Sequence, residues 1–146
     1  EFGILTSHMH MAWMRTVCGR LESRYRYSPN IYHLFPWIKD ISDTSKKKIE
    51  TCAQNVLDAR AEEFSKDATT SLATLYDPDI MPMNLRKAHK ALDKAVDAAY
   101  GTQKFSNEAE RVAFLFGLYE QYVEAEKVEQ EINVKTKRPK VAKNTI

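Results

Sequence analysis

The run Arg20-Leu21-Glu22-Ser23-Arg24-Tyr25-Arg26-Tyr27 holds the most informative chemistry in this sequence. Read as a strand, its period of two puts Glu22, Arg24 and Arg26 on one face and Leu21, Ser23, Tyr25 and Tyr27 on the other. Such a face matches the edges of bases. A guanidinium offers two parallel N–H donors to the O6 and N7 acceptors of guanine, and a carboxylate accepts from the N4 amino group of cytosine. Neighbouring Glu and Arg side chains therefore suit the two strands of one C·G pair. The same alternation also fits a solvated strand face on which Glu22 and Arg24 offset each other's charge, and the pattern alone favours that plainer reading.

Other constellations read as structural. His8 and His10 are two residues apart, a spacing that points them to different sides of a helix. Neither they nor His33 has a Cys or carboxylate at ligand spacing, so no metal site is expected. His89 falls beside an apolar helical stripe, as a packed, hydrogen-bonded histidine does. Asp77-Pro78-Asp79 lacks the second proline and the aromatic of the acidic-proline motif of amino-methyltransferases, and reads as a turn with a helix stop. With no glycine-rich phosphate loop and no Ser, His and Asp constellation, the chain is expected to do no catalysis alone.

The elements that must position these groups follow from composition and period. At 146 residues, 43% hydrophobic and 29% charged, the chain has the make-up of a soluble globular protein. Its length suits one ordinary domain, or part of one fold joined to a small complete one. The net charge of +2 is mild but uneven: Arg15, Arg20, Arg24 and Arg26 cluster near the start, and Lys135, Lys137, Arg138, Lys140 and Lys143 fill an end without acidic residues. That short basic end reads as solvated. Cys18 and Cys52 are too few for a disulfide framework, which suits reduced thiols and a cytoplasmic location. No apolar run is long enough for a membrane span and no signal peptide is visible. The start at Glu1, without an initiator Met, suggests a piece of something longer.

Ser7 suits the cap of a short helix over His8 to Val17 that Gly19 would stop. Arg20 to Tyr27 then reads as a strand, Ser28-Pro29-Asn30 as a turn, and Ile31 to Phe35 as a second short strand ended by Pro36. From Asp43 the period is helical. Behind a cap at Thr44 or Ser45, the residues Ile49, Ala53, Val56, Leu57, Arg60 and Phe64 form one stripe over roughly five turns. A short helical turn at Leu72 and Leu75 precedes Asp77-Pro78. Pro82 suits the first turn of a helix striped by Leu85, Ala88, Leu92, Ala95, Val96 and Ala99, with Gly101 as its stop. Asn107 and Glu110 form a capping box for a last helix bearing Val112, Ala113, Phe116, Tyr119 and Val123 on one face. The expected fold is mainly α: a small helical bundle preceded by a partial α/β segment of a short helix and one or two strands. The expected division is residues 1–40, residues 41–131 and a basic tail at 132–146.

Several blocks in order carry a family likeness. They are Phe2-Gly3-Ile4-Leu5-Thr6-Ser7, His10-Met11-Ala12-Trp13, Gly19-Arg20-Leu21, Tyr25-Arg26-Tyr27-Ser28 and Phe35-Pro36-Trp37. Downstream come Leu57-Asp58-Ala59-Arg60, Leu75-Tyr76-Asp77-Pro78, Met81-Pro82, Ala88-His89-Lys90-Ala91-Leu92-Asp93 and Glu110-Arg111-Val112-Ala113-Phe114-Leu115-Phe116. Over about residues 2 to 123 the chain resembles the MmeI-like DNA methyltransferases, which include single-chain restriction-modification enzymes.

The resemblance implies the end of a target-recognition domain at 1–40 and a C-terminal helical domain at 41–131. The parent would be an adenine-N6 methyltransferase using S-adenosylmethionine, a bacterial cytoplasmic enzyme of restriction-modification or phage defence. Its methyl-transfer residues would lie upstream of Glu1, so this fragment would hold no cofactor. Its partners would be double-stranded DNA and the upstream methyltransferase domain of the same chain, with no membrane and with room for an oligomer. Base reading falls on the positions matching Glu22 and Arg24, where relatives with Lys and Asp in that order read the opposite orientation of the pair. Arg26 matches a position that reads a neighbouring base, and Arg20 and Arg15 are expected at the DNA backbone. The sequence departs from the family at Ile31-Tyr32-His33-Leu34-Phe35, where relatives often have Val-Tyr-Asn-Asn-Phe.

A reading from a different class is a helical protein-interaction or oligomerisation module without direct DNA contact. Phe114, Phe116, Tyr119 and Tyr122 lie around more than one face of the last helix and offer more apolar surface than a three-helix core needs.

Overall fold

The computed structural model describes residues 1–101 and 104–137, with side chains through residue 133. Its helices are α1 (Phe2–Leu5), α2 (His8–Val17), α3 (Pro29–His33), α4 (Asp43–Lys66), α5 (Leu72–Leu75), α6 (Met83–Ala99) and α7 (Glu108–Lys137). Two strands, β1 (Gly19–Leu21) and β2 (Arg24–Arg26), stand between α2 and α3. The fold is mainly α with a small strand-bearing segment at its start, as the sequence predicts. Arg138, Lys140 and Lys143 of the basic end lie outside the described residues.

The helix ends follow local chemistry. Ser42, not Thr44 or Ser45, caps α4: its Oγ accepts from the Ser45 N–H at 3.2 Å, and Asp43 then occupies the first turn, where a carboxylate suits the helix dipole. The helix runs 24 residues, longer than the five turns expected. Pro82 sits at the N-cap of α6 rather than inside its first turn, and Gly101 follows the C-cap with a φ of +142° that L side chains rarely adopt. Asn107 caps α7 by accepting from the Glu110 N–H at 2.9 Å. Glu110 reaches back to the Ser106 N–H at 2.7 Å, one residue before the cap, and accepts from the Asn107 side-chain amide at 3.1 Å, so the predicted pair closes the helix start through a variant of the capping box. Helix α7 runs on to Lys137, into the stretch from residue 132 that the sequence marks as a basic tail.

The core lies mainly between α4 and α6, which bury Ile49, Val56 and Ala59 with Leu85, Leu92, Ala95 and Val96. Leu57, expected in the stripe, is 40% exposed, and Ala59 takes the inward place. On α7 the inward residue is Leu115, whereas Phe116 is 38% exposed and Ala113 faces solvent, so the predicted face is turned by about one residue. Leu85, Leu92 and Leu115 have no exposed surface, and each such side chain contributes about 1.5–3 kcal/mol. Helix α2 adds Met9, Ala12, Trp13 and Met14 and packs chiefly on α7, so the first segment and the bundle share one core. The last helix is fixed to α6 by Arg111, whose Nε donates to Asp97 at 3.2 Å.

Helix α1, unforeseen in the sequence, rests on α4 and α6 through Gly3. A Cβ at that position would lie 2.9 Å from Ile49 Cγ2 and 3.2 Å from Leu92 Cδ1. The connection from α3 to α4 is held by main-chain oxygens: Tyr100 donates to Pro36 at 3.1 Å and Tyr122 to Trp37 at 2.9 Å. No helix among the described residues is long and apolar enough to cross a membrane.

Candidate nucleic-acid interface

The run read as one strand is a β-hairpin. β1 and β2 are antiparallel in the register Gly19↔Arg26, Arg20↔Tyr25 and Leu21↔Arg24, leaving Glu22-Ser23 as a two-residue turn. Glu22 takes a φ of +56°, the sign that the first position of a type II′ hairpin turn requires. The segment expected to be a second strand is helix α3: Ser28 is its N-cap and Pro29 its first residue, and Ile31 and Phe35 turn inward four residues apart.

The turn changes which side chains share a face. Residues directly opposite in an antiparallel pair project to the same side. Leu21, Arg24 and Arg26 therefore share one face, and Arg20 and Tyr25 the other. The expected set loses Glu22 to the turn and gains Leu21. Arg20 is engaged across the strands: its Nη2 donates to the Tyr25 hydroxyl at 2.9 Å and its guanidinium lies 4.8 Å from the ring centroid. Glu22, Arg24 and Arg26 have no side-chain partner among the described residues. Every residue from Gly19 to Tyr27 is exposed, so the ribbon projects from the body.

A two-stranded ribbon without a packed face is marginal by itself, so its orientation depends on its ends. At one end the Cys18 N–H continues α2 by donating to Met14 at 2.9 Å. At the other, the Tyr27 hydroxyl lies 3.0 Å from His10 Nε2, inside the core. Trp13 Nε1 then holds α3 through the Ile31 oxygen at 3.1 Å, while its ring packs against Phe116 and Tyr119 of α7 at centroid distances of 5.4 and 5.8 Å. Burial pushes the His10 imidazole down to about 4, so it is neutral near pH 7 and its Nδ1 has no partner among the described residues. Sequence reasoning missed this anchor because its two halves are 17 residues apart.

Arg15, the second residue expected at the DNA backbone, is half-exposed and paired with Glu108 of α7, Nη1 to Oε2 at 2.6 Å. His8 and His10 serve different neighbours. The His8 N–H donates to Asp93 at 2.7 Å, and burial raises the Asp93 carboxyl above its ordinary value. His89 has the packed, bonded role expected of it, with Nε2 at 2.6 Å from the Tyr76 hydroxyl, which also accepts from Arg60 Nε at 2.7 Å. Burial lowers the His89 imidazole. These groups satisfy one another. The aromatic surface of α7 is also largely taken up within the chain: Phe114 packs on Tyr100 and Phe105, and Tyr122 meets Trp37 and Lys39.

Comparisons with known proteins bear on the same two segments. Residues 1–39 match the family described as MmeI, target recognition domain, and residues 41–126 match the one described as MmeI, C-terminal domain. The chain is similar to DNA methyltransferase A of Bacillus subtilis (strain 168), 41% identical over 123 residues, which are 84% of this chain and 13% of that protein. It is also similar to the type IIL restriction-modification enzyme MmeI, solved in complex with DNA. The TM-score is 0.76 at 49% identity, over 84% of this chain and 16% of that one. The chain thus spans a small part of the relatives it matches.

Proposed function

The chain belongs to the MmeI family, and from that premise we propose that it is the DNA-reading end of a site-specific adenine-N6 methyltransferase. The observation that carries this reading is the exposed hairpin, which holds Arg24 and Arg26 on one face and Glu22 at its tip with no partner among the described residues. A two-stranded ribbon is one of the elements that the major groove admits, and Arg and Glu suit the guanine and cytosine edges of one pair. Glu22 and Arg24 read that pair in this proposal, and Arg26 reads a neighbouring base. Arg20, held against Tyr25, and Arg15, paired with Glu108, are assigned to phosphates at the edge of the contact.

The bundle of α4, α6 and α7 supports the hairpin through α2. Methyl transfer belongs to the rest of the parent enzyme. Among the described residues the only sheet is the hairpin, and no glycine-rich turn leaves a parallel sheet, so these residues do not fit S-adenosylmethionine. DNA and the catalytic domain of the same enzyme are the proposed partners, in a bacterial cytoplasm. Mapping methylated adenines in the source genome, with and without the gene, tests the activity: one sequence motif should lose methylation when the gene is removed. An unchanged methylation map would contradict it.

A further inference from the structure

We propose that Leu21 is a further specificity-determining residue, reading the C5-methyl group of a thymine beside the base pair contacted by Glu22 and Arg24. The inference rests on the base-reading proposal above. Leu21 is 69% exposed, the highest value among the large hydrophobic side chains described. Scattered exposed leucines need no explanation, but this one sits at the end of a projecting ribbon and shares its face with two guanidinium groups that have no side-chain partner among the described residues. Its cross-strand partner is Arg24. The other β1 position on that face is Gly19, opposite Arg26, so Leu21 is the only side chain that β1 contributes there.

A ribbon that lays Arg24 against a base edge therefore brings the Leu21 isobutyl group to an adjacent edge, because directly opposed Cβ atoms lie about 4.5–5.5 Å apart. The major-groove edges of the four bases carry donors, acceptors and a single methyl group, that of thymine, which is the one an apolar side chain contacts. Against a purine edge Leu21 would cover a polar atom and leave it without a partner, and against cytosine it would meet no methyl.

Thymine and uracil differ only in that methyl, which gives a direct test in the intact enzyme carrying this chain. Each thymine of the target duplex is replaced in turn by deoxyuridine, and kcat/KM for methylation is measured. One position should show a loss of about four-fold, the worth of one buried methyl. Leu21→Met should keep that sensitivity. Leu21→Ala should bring the thymine duplex down to the uracil level and make the two equal. If no position responds to uracil, or if Leu21→Ala lowers both duplexes alike and preserves their ratio, the inference is overturned. The double exchange Glu22→Lys with Arg24→Asp is run beside it. A changed target with uracil sensitivity indifferent to Leu21 defeats the Leu21 assignment alone, whereas an unchanged target defeats the base-reading proposal and this inference with it.

Discussion

The Tyr27 hydroxyl lies 3.0 Å from Nε2 of His10, joining the residue that follows the exposed hairpin to a histidine that is 3% exposed. The bond ties that end of the ribbon to a buried titratable group. His10 has a folded-state value of about 4 against an ordinary 6.5, so the unfolded chain takes up the proton first as pH falls. Its contribution to stability is complete above pH 6.5 and is lost progressively towards pH 4. The full loss amounts to about 3 kcal/mol. Urea unfolding across that range should show the decline in the wild-type chain, and His10→Gln should remove this component of the slope.

Gly3 predicts a steric result. An added methyl would come within 2.9 Å of Ile49 and 3.2 Å of Leu92, both in the packed core. Gly3→Ala should destabilise the chain by about 1–3 kcal/mol, the usual cost of overpacking, because α1 must lift from α4 or the core must shift. The midpoint of chemical denaturation measures it. A variant as stable as wild type would mean that α1 does not rest on the bundle through this glycine.

Glu22 separates stability from recognition. A glutamate at φ +56° is strained where a glycine is not, so Glu22→Gly should raise the stability of the chain by up to about 1 kcal/mol. In the parent enzyme the same change should weaken discrimination at one base pair. Thermal unfolding and competition between cognate and single-substituted duplexes report the two effects separately.

The longer helices α2, α4, α6 and α7 were legible because their stripes are local signals, whereas the four-residue α1 carries none. Leu85, Leu92 and Val96 turn inward as their spacing requires, and Asn107 with Glu110 marked the start of α7. The hairpin was not legible. Its turn is Glu22-Ser23, with none of the glycine or asparagine that announces a two-residue loop, and the tyrosines and leucine that flank it keep a spacing of two or four that a single strand would also give. Residues 31–35 misled for a different reason: Ser28-Pro29 serves as N-cap and first helical residue, a pair that also signals a turn, and a five-residue helix is too short to display a period. Arg24 and Arg26 could be identified as candidates by residue type and by family likeness. Leu21 could not, since its place beside Arg24 exists only once the turn is known.

The most direct measurement is the target of the parent enzyme after Glu22→Lys is combined with Arg24→Asp. The hairpin tip would then present a cation and a carboxylate in reversed order, and one good bidentate contact is worth about 1–3 kcal/mol of discrimination. Sequencing of methylated adenines should show one target position changed from C·G to G·C, with the rest of the motif intact. An active double variant that methylates the original motif would contradict the assignment of base reading to this hairpin.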